Sequence, residues 1–475
     1  MDFPSAAIFF RTAAQLHTVS MDARSKDVYK RQVLEALVFH PFWCLGAQRK
    51  GMVIAMNKMT LTHLSNITAY DDISCPSKAI KRGMHCPLFG CILLTKYIAD
   101  MPFLIVGTDE CGFYGREIIK VVADDPLSYP VYTYSIEEND VVYGCGENLL
   151  KSLQQIQKTE SPTAICVVST CVPELIGEDI SGVVFEASRQ LKLPIIHCPA
   201  HNFGENSHVD GQSDLMAALS ELMRPCERIE KSVNLLCGRG EADEDSEITR
   251  WLVQNGVNIC VRFPGRCTVA DIQNAPSASL NIVTDPIGLK LAKKMLEQYK
   301  TPYILFGKYA DPKRILSCYK SLQRHLKLAE DPFWEKRAIQ LQALWEQIGY
   351  CVEGKQYIYS NSPLISIDMI LMLERYGAKP LAYYVISKND FERELFPEFK
   401  HSNVDPLVAL LADFGISERL LEIYKPDFFI GRLSENLIRK TEISCLDFEG
   451  VSIGQGFDAL QAVLEYIMKA LGGQT

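Results

Sequence analysis

The sequence predicts an α/β protein of three Rossmann-like domains, each a mainly parallel sheet flanked by helices. Three observations predict it. Apolar runs short enough to be buried strands recur from Leu61 onward, and amphipathic stretches of helical length separate them. That alternation gives parallel sheet with right-handed crossovers. At 475 residues the chain is too long for one core and divides into about three. Its 47% hydrophobic and 23% charged residues exclude the disordered and fibrous classes.

Residues 1–60 stand apart as an N-terminal extension. SMDARSKDVYKRQ is polar and aperiodic, and SKDVYKRQ resembles a translated cloning or assembly scar, so part of this extension is read as non-native. The first domain, 61–227, has predicted strands at 102–106, 163–169 and 194–198, with helices at 88–99, 146–157, 177–191 and 211–223. The second, 228–329, has strands at 233–237, 257–262, 280–284 and 303–306, between helices at 245–254, 287–299 and 312–326. The third, 330–475, opens on a long helix at 333–348. Strands follow at 356–359, 380–386 and 427–430, with a helix from the Asn361-Ser362-Pro363 turn to Arg375 and a last helix at 458–471. The units share a period of structure but not of sequence, so they are not an internal repeat.

A net charge of −9 without a concentration of Lys and Arg argues against a nucleic-acid binder. No run of apolar residues is long enough to span a membrane. The start, MDFPSAAIFFRTAAQ, is a poor signal peptide, because Arg11 interrupts its apolar patch and no basic region precedes it. The 16 cysteines are scattered, without the dense spacing of a secreted disulfide scaffold. A reducing cytoplasm is the expected home, where cysteines more often bind metal or stay free than pair. The turn at Asn361-Ser362-Pro363 lacks the G-x-G-x-x-G of a dinucleotide fold, and no P-loop is present, so neither NAD, FAD nor ATP is expected on this chain.

Three cysteines are placed for chemistry. Cys171, in VVSTCVPELIGEDI, follows a predicted strand and precedes a helix; Cys86, in MHCPLFGC, directly precedes a helix; Cys111, in VGTDECGFYG, follows a strand between Gly107 and Gly112. Crevices outside strand ends are where open α/β sheets bind ligands, and glycine allows the close backbone approach that a bulky inorganic cluster needs. Thiolates hold iron-sulfur clusters. Three leave a four-iron cluster one ligand short, so either a second chain supplies the rest or a shared cluster sits at an interface. Three unrelated buried thiols is the competing reading, since no compact C-x₂-C pair marks a metal site.

Other residues have plainer readings. Glu178 and Asp179 serve the first turn of a helix. Cys145 lies at a helix start, where a thiol pKa is lowered. Cys166, Cys198, Cys237 and Cys260 fall inside apolar strands and are read as core. His201 and His208, in HNFGENSH, lie in a polar loop after a strand, from which they reach a cluster or a substrate, or only hydrogen-bond at the surface.

The ordered set HCPLFGC, VGTDECGFYGR, VYGCGENLLKSL, VVSTCVPELIGEDI and HCPAHNFGENSHVDG resembles the first domain of the nitrogenase component 1 family, more like its β-type subunits. SASLNIVTDPIGLKLAKKMLEQYKTPYI resembles the second domain, and GKQYIYSNSPLISIDMILMLERYGAKPLAYYV with YKPDFFIGR the third. The likeness covers about 61–475, and Cys111 stands 25 positions after Cys86 and Cys171 60 after Cys111, as in the family.

The resemblance implies that Cys86, Cys111 and Cys171 bind a cluster at an interface with an α-like homologous subunit, in a heterodimer or heterotetramer. The cluster is either a bridging 4Fe-4S or an eight-iron P-cluster-like group. The first box departs from Cys-x-Pro-Leu-Gly, and Cys91 five positions on is a competing ligand. Where the family's active-site subunit has a cysteine in its second domain, this chain reads IVTDPIGL; Cys445, in EISCLDFEGVSIGQGFD, stands near the position of the other cofactor ligand. The expected function is a subunit of a nitrogenase-like two-component oxidoreductase that takes electrons from a separate ATP-hydrolysing iron protein. The alternatives are a non-catalytic scaffold for cofactor assembly, a tetrapyrrole reductase subunit of the protochlorophyllide or chlorin type, or a cluster-free interaction protein.

Overall fold

The computed structural model describes residues 61–75, 85–122, 131–202, 206–238, 246–360, 362–410, 414–448, 450–451 and 454–472. The 1–60 extension and Asn361 of the third-domain turn lie outside them. Strand β1 (Thr62–His63) precedes four strands that form one sheet: β2 (Phe103–Gly107), β3 (Val131–Ser135), β4 (Ile165–Ser169) and β5 (Ile195–Pro199), in the order β3-β2-β4-β5 and parallel throughout. Every residue of FLIVG and ICVVS is buried. Such continuous apolar runs are what a sheet covered on both faces requires.

The second sheet is also parallel, β7-β6-β8-β9, built from β6 (Ser232–Leu236), β7 (Asn258–Phe263), β8 (Leu280–Val283) and β9 (Tyr303–Leu305). The third contains β10 (Gln356–Tyr359), β11 (Lys379–Val385), β12 (Leu407–Leu410), β13 (Phe428–Ile430) and β14 (Ser444–Leu446). Its order is β1-β12-β11-β10-β13-β14, parallel except that β1 runs antiparallel to β12. Residues 61–75, grouped by sequence with the first domain, therefore pack on the third sheet. Lys400 donates to the carbonyls of Leu64 and Ser65, Arg393 pairs with Asp71, and the rings of Tyr70 and Phe396 meet at 5.7 Å. A two-residue strand is too short to carry a readable period.

The helices start where local chemistry demands. Asp311 and Asp331 each accept a hydrogen bond from an early N–H of the helices Pro312–His325 and Pro332–Val352, and each is followed by proline at the first helical position. The predicted helix over 177–191 starts at Ile180 and runs to Leu191, and a separate short helix, Cys171–Ile176, precedes it, ended by Gly177 at φ +74°. Asp179 caps the second through the N–H of Gly182 at 2.9 Å. The helices Asp109–Val122 and Asp390–Lys400 were not expected; Gly112 and Gly115 dilute the helical signal of the first. One continuous apolar core runs through all three sheets, with a smaller cluster on the other face of the first sheet and another on that of the third. The three sheets thus share a core instead of closing one each.

Candidate functional site

The helix Pro87–Thr95 crosses the helix His208–Ala218 at unusually short range. A Cβ on Gly90 would lie 1.9 Å from the His208 carbonyl oxygen, and one on Gly211 2.0 Å from that of Pro87. Only hydrogen fits at this crossing, so the glycines seat the start of the first helix. Cys86 is the residue just before it, in extended conformation, with Pro87 opening the helix. Cys111 lies in the first turn of Asp109–Val122, after β2, and Cys171 opens Cys171–Ile176, after β4. Gly107 and Gly112 again allow close approach: a Cβ would meet the Thr170 and Thr133 side chains at 2.1 and 2.4 Å.

All three thiols are half-buried. Burial pushes the Cys86 thiol up, backbone N–H groups of Phe89 and Leu88 oppose the shift, and the charges of Cys111 and Cys171 push it further up. Cys111 and Cys171 therefore lie within electrostatic reach of Cys86, although 25 and 60 positions separate the three in sequence. Donors already serve the sulfurs: the Asn202 N–H donates to Cys171 Sγ at 3.3 Å, and the Thr108 hydroxyl to Cys111 Sγ at 3.7 Å. Hydrogen bonds of this kind tune cluster potentials. Among the described residues no three His, Cys, Asp or Glu side chains are close enough to hold a single metal ion.

A ring cluster backs the site. His85 stacks on Phe89 at 4.1 Å, its Nδ1 lies 2.6 Å from the Tyr114 hydroxyl, and the His208 ring stands edge-on to both His85 and Phe89. Burial lowers the His85 pKa. A second support is His197 on β5, which the sequence reading passed over. Its Nε2 lies 2.7 Å from Ser169 Oγ and its Nδ1 2.9 Å from Ser181 Oγ, while Ser169 donates to Glu174. These bonds fasten the helix that Cys171 opens to the end of β4. Its place inside the apolar strand IIHCP, between buried Ile196 and Cys198, was the available signal.

The weaker candidates separate cleanly. Cys91 is fully buried, donates to the Gly211 carbonyl at 3.3 Å and packs on Cys198, with Cys166 and Asp214 as its other charge neighbours. Five positions along a helix turn a side chain by about 140°, which takes Cys91 into the core and away from Cys86. Cys445 sits in β14 of the third sheet, donating to the Gly431 carbonyl at 3.2 Å, and burial raises its pKa to about 11. His201, half-buried, adjoins the Asn202 N–H that reaches Cys171. The expected lowering at Cys145 does not occur: burial and the Glu178 carboxylate push that thiol up to about 12. Glu178 accepts from the Cys145 N–H, so it serves the helix Gly146–Glu160 and not its own. Cys166, Cys198 and Cys237 are buried as expected, but Cys260, on the edge strand β7, is only half-buried.

A cavity of about 340 Å³ opens at the carboxyl ends of the second and third sheets, bounded by the helix His208–Ala218. It takes in Thr284, Asp285, Pro286 and Ile287 of the IVTDPIGL stretch.

Residues 86–455 match the family model for nitrogenase component 1 type oxidoreductases. The chain belongs to that family. Among its relatives, the nitrogenase iron-molybdenum cofactor biosynthesis protein NifE of Nostoc sp. (strain PCC 7120 / SAG 25.82 / UTEX 2576) is 27% identical over 46% of this chain and 47% of that protein. The nitrogenase molybdenum-iron protein alpha chain of Methanosarcina barkeri is 25% identical over 74% of this chain and 68% of that one. The chain spans about half the length of the NifE relatives it matches. The solved structure titled nitrogenase Cp1 at pH 6.5 superposes with TM-score 0.68 at 16% identity, over 88% of this chain and 97% of that one, and shares the fold. These relatives are of the scaffold and alpha-chain kinds, not the β-type to which the first-domain boxes pointed. Among the described residues no helix of this family member is long and apolar enough to cross a membrane.

Proposed function

We propose that this chain is one subunit of a nitrogenase-like complex and that Cys86, Cys111 and Cys171 hold an iron-sulfur cluster completed by a homologous partner subunit. The observation that supports it is that Cys111 and Cys171, half-buried after the carboxyl ends of β2 and β4, lie within electrostatic reach of half-buried Cys86. The surroundings support the interface. Tyr143 is 84% exposed, Leu175 74% and Val142 70%, and Phe113 is exposed as well, all on the segments that follow β2, β3 and β4. Exposed apolar groups of this size, on the segments that follow the strands bearing the thiols, are what a protein partner covers.

When bound, such a cluster stores and passes single electrons at low potential. The chain's own residues then have separate tasks. The glycine crossing places Cys86, the His197 network holds the Cys171 helix, and the Asn202 and Thr108 donors stabilise thiolate charge. In this reading, as the family resemblance implies, the electrons come from a separate ATP-hydrolysing iron protein. The second reading is a scaffold that carries a cluster during cofactor assembly, and the likeness to NifE favours it. The tetrapyrrole alternative calls for a flat apolar slot, whereas the cavity is walled in good part by polar side chains.

Anaerobic purification with the partner, followed by electron paramagnetic resonance of the reduced complex, tests the cluster. A triple Cys86, Cys111 and Cys171→Ala variant with an unchanged signal would falsify it. Iron retained through repeated reduction favours the oxidoreductase; iron handed to an acceptor protein favours the scaffold.

A further inference from the structure

Two cysteines outside the cluster set meet at one turn beside the second sheet. Between Leu222 and Ser232 the chain passes from the first sheet to the second without helix or strand, and residues 224–230 are exposed. Backbone bonds hold this connection to the turn 273–277 on either side of Cys226. The Arg224 N–H donates to the Gln273 carbonyl at 3.0 Å, and the Ile229 N–H to the Ser277 carbonyl at 2.8 Å. Cys226 is exposed, and its thiol donates to the Asn274 carbonyl of the same turn at 3.7 Å. Cys260, half-buried in the edge strand β7, reaches that turn as well: its sulfur accepts from the Ser277 hydroxyl at 3.8 Å and from the Asn258 side-chain amide at 3.6 Å. Burial raises the Cys226 pKa and the charge of Cys260 raises it further, so the two thiols also lie within electrostatic reach of each other.

The closest pair of sulfurs is a different one. Cys91 and Cys198 stand 3.8 Å apart but are sealed in the core, where the hydrogen bond between them and burial hold the Cys91 thiol well above its ordinary range. Thiol–disulfide exchange needs a thiolate that an oxidant can reach, so that pair is inert. Cys226 is reachable, and it stands on a connection that has no ladder of its own to keep it from moving the short way to Cys260.

We propose that Cys226 and Cys260 form an oxidation-sensitive dithiol, which reacts with a small-molecule disulfide such as oxidised glutathione and closes to a bond that pins the connection between the first and second sheets. The Cys226 thiolate attacks one sulfur of the small disulfide, the S–S bond breaks, and the first small thiol leaves with a proton. The Cys260 thiolate then attacks the Cys226 sulfur, the mixed disulfide breaks, and the second small thiol leaves with the second proton. The protein pair gives up two electrons and two protons, and the small disulfide takes them. The new bond ties the exposed connection to β7, across the turn that already holds it by two backbone bonds. Neither thiol belongs to the set Cys86, Cys111 and Cys171, so the inference stands apart from the cluster reading.

The test exposes the full chain, purified anaerobically with its partner, to oxidised glutathione, blocks the remaining thiols with N-ethylmaleimide and maps the unreduced peptides by mass spectrometry. A linked Cys226–Cys260 peptide is expected, and dithiothreitol should reverse it. Cys260→Ser is expected to accumulate the glutathione adduct of Cys226 at least about tenfold over wild type, because no second thiol resolves it. Hydrogen exchange over residues 224–231 should slow at least about threefold in the oxidised wild type and stay unchanged in oxidised Cys260→Ser. Full alkylation of both thiols after exposure, a Cys226 adduct that persists in wild type without the linked peptide, or a bond from Cys226 to any other cysteine overturns the proposal. So does a linked peptide with unaltered exchange over 224–231. The wild-type map decides even where a variant fails to fold, and iron content read in parallel bears on the cluster reading alone.

Discussion

The thiol site and the inter-sheet cavity both lie at carboxyl ends of parallel strands, yet they are built to be completed in different ways. The three thiols are half-buried, exposed Tyr143, Leu175 and Val142 lie on segments that follow β3 and β4, and the proposed cluster needs more ligands than three sulfurs supply. The cavity is bounded by two sheets and a helix, and its acids, Asp285 and Glu392, are already satisfied by local N–H groups. Position on an α/β sheet says where something binds. Exposed apolar groups and the state of the donors say whether a protein finishes the site.

Four experiments break or sharpen this contrast. The largest effect is expected from replacing Cys86, Cys111 and Cys171 together by Ser, which removes the cluster iron, while Cys91→Ser leaves it; iron and sulfide analysis decides. A Cys91 variant that loses the iron would instead put the competing ligand in the site. Next, Gly90→Ala drives a Cβ into the His208 carbonyl and forces the two helices apart. A loss of about 3 kcal/mol in urea unfolding is expected, against about 1 kcal/mol for Gly177→Ala, whose surroundings are open and whose only difficulty is its φ of +74°.

The third concerns the exposed apolar groups. Tyr143→Ser should weaken association with the partner by about 2 kcal/mol in sedimentation equilibrium while changing the stability of the isolated chain by less than about 0.5 kcal/mol. No change in association would leave these apolar groups without a function. The smallest effect belongs to the cavity. Glu392 has its carboxyl raised from 4.5 to about 7 in the fold. Between those values the folded chain binds more protons than the unfolded one, so this group makes stability fall as pH rises through the window, by at most about 1 kcal/mol per pH unit. Glu392→Gln should flatten that slope between pH 5 and 7, as followed by thermal melts. An unaltered slope would assign it to Asp368, buried and raised to about 6.

Much of this was legible in the chain. Apolar runs such as FLIVG and ICVVS can hardly be anything but buried parallel strands, and Asp-Pro pairs mark helix starts directly. Cys86, Cys111 and Cys171 stood out because each lies beside a strand end or helix start. His197 did not, because its partners, Ser169 and Ser181, come from other segments and meet it only in space. Cys145 misled for the same reason: a helix start predicts a lowered thiol pKa, but the Glu178 carboxylate folds against it.

By itself the sequence determined the α/β class, the alternation of strands and helices, and which thiols lie near strand ends, since period and punctuation are local properties of a chain. Only the tertiary structure decided that Cys111 and Cys171, far apart in sequence, come within electrostatic reach of Cys86, that Cys91 turns into the core, and that residues 61–75 join the third sheet. It also decided that Asp285 and Glu392 are committed to their own walls. Charge, burial and hydrogen-bond occupancy belong to the neighbourhood of an atom, and the fold alone brings that neighbourhood together.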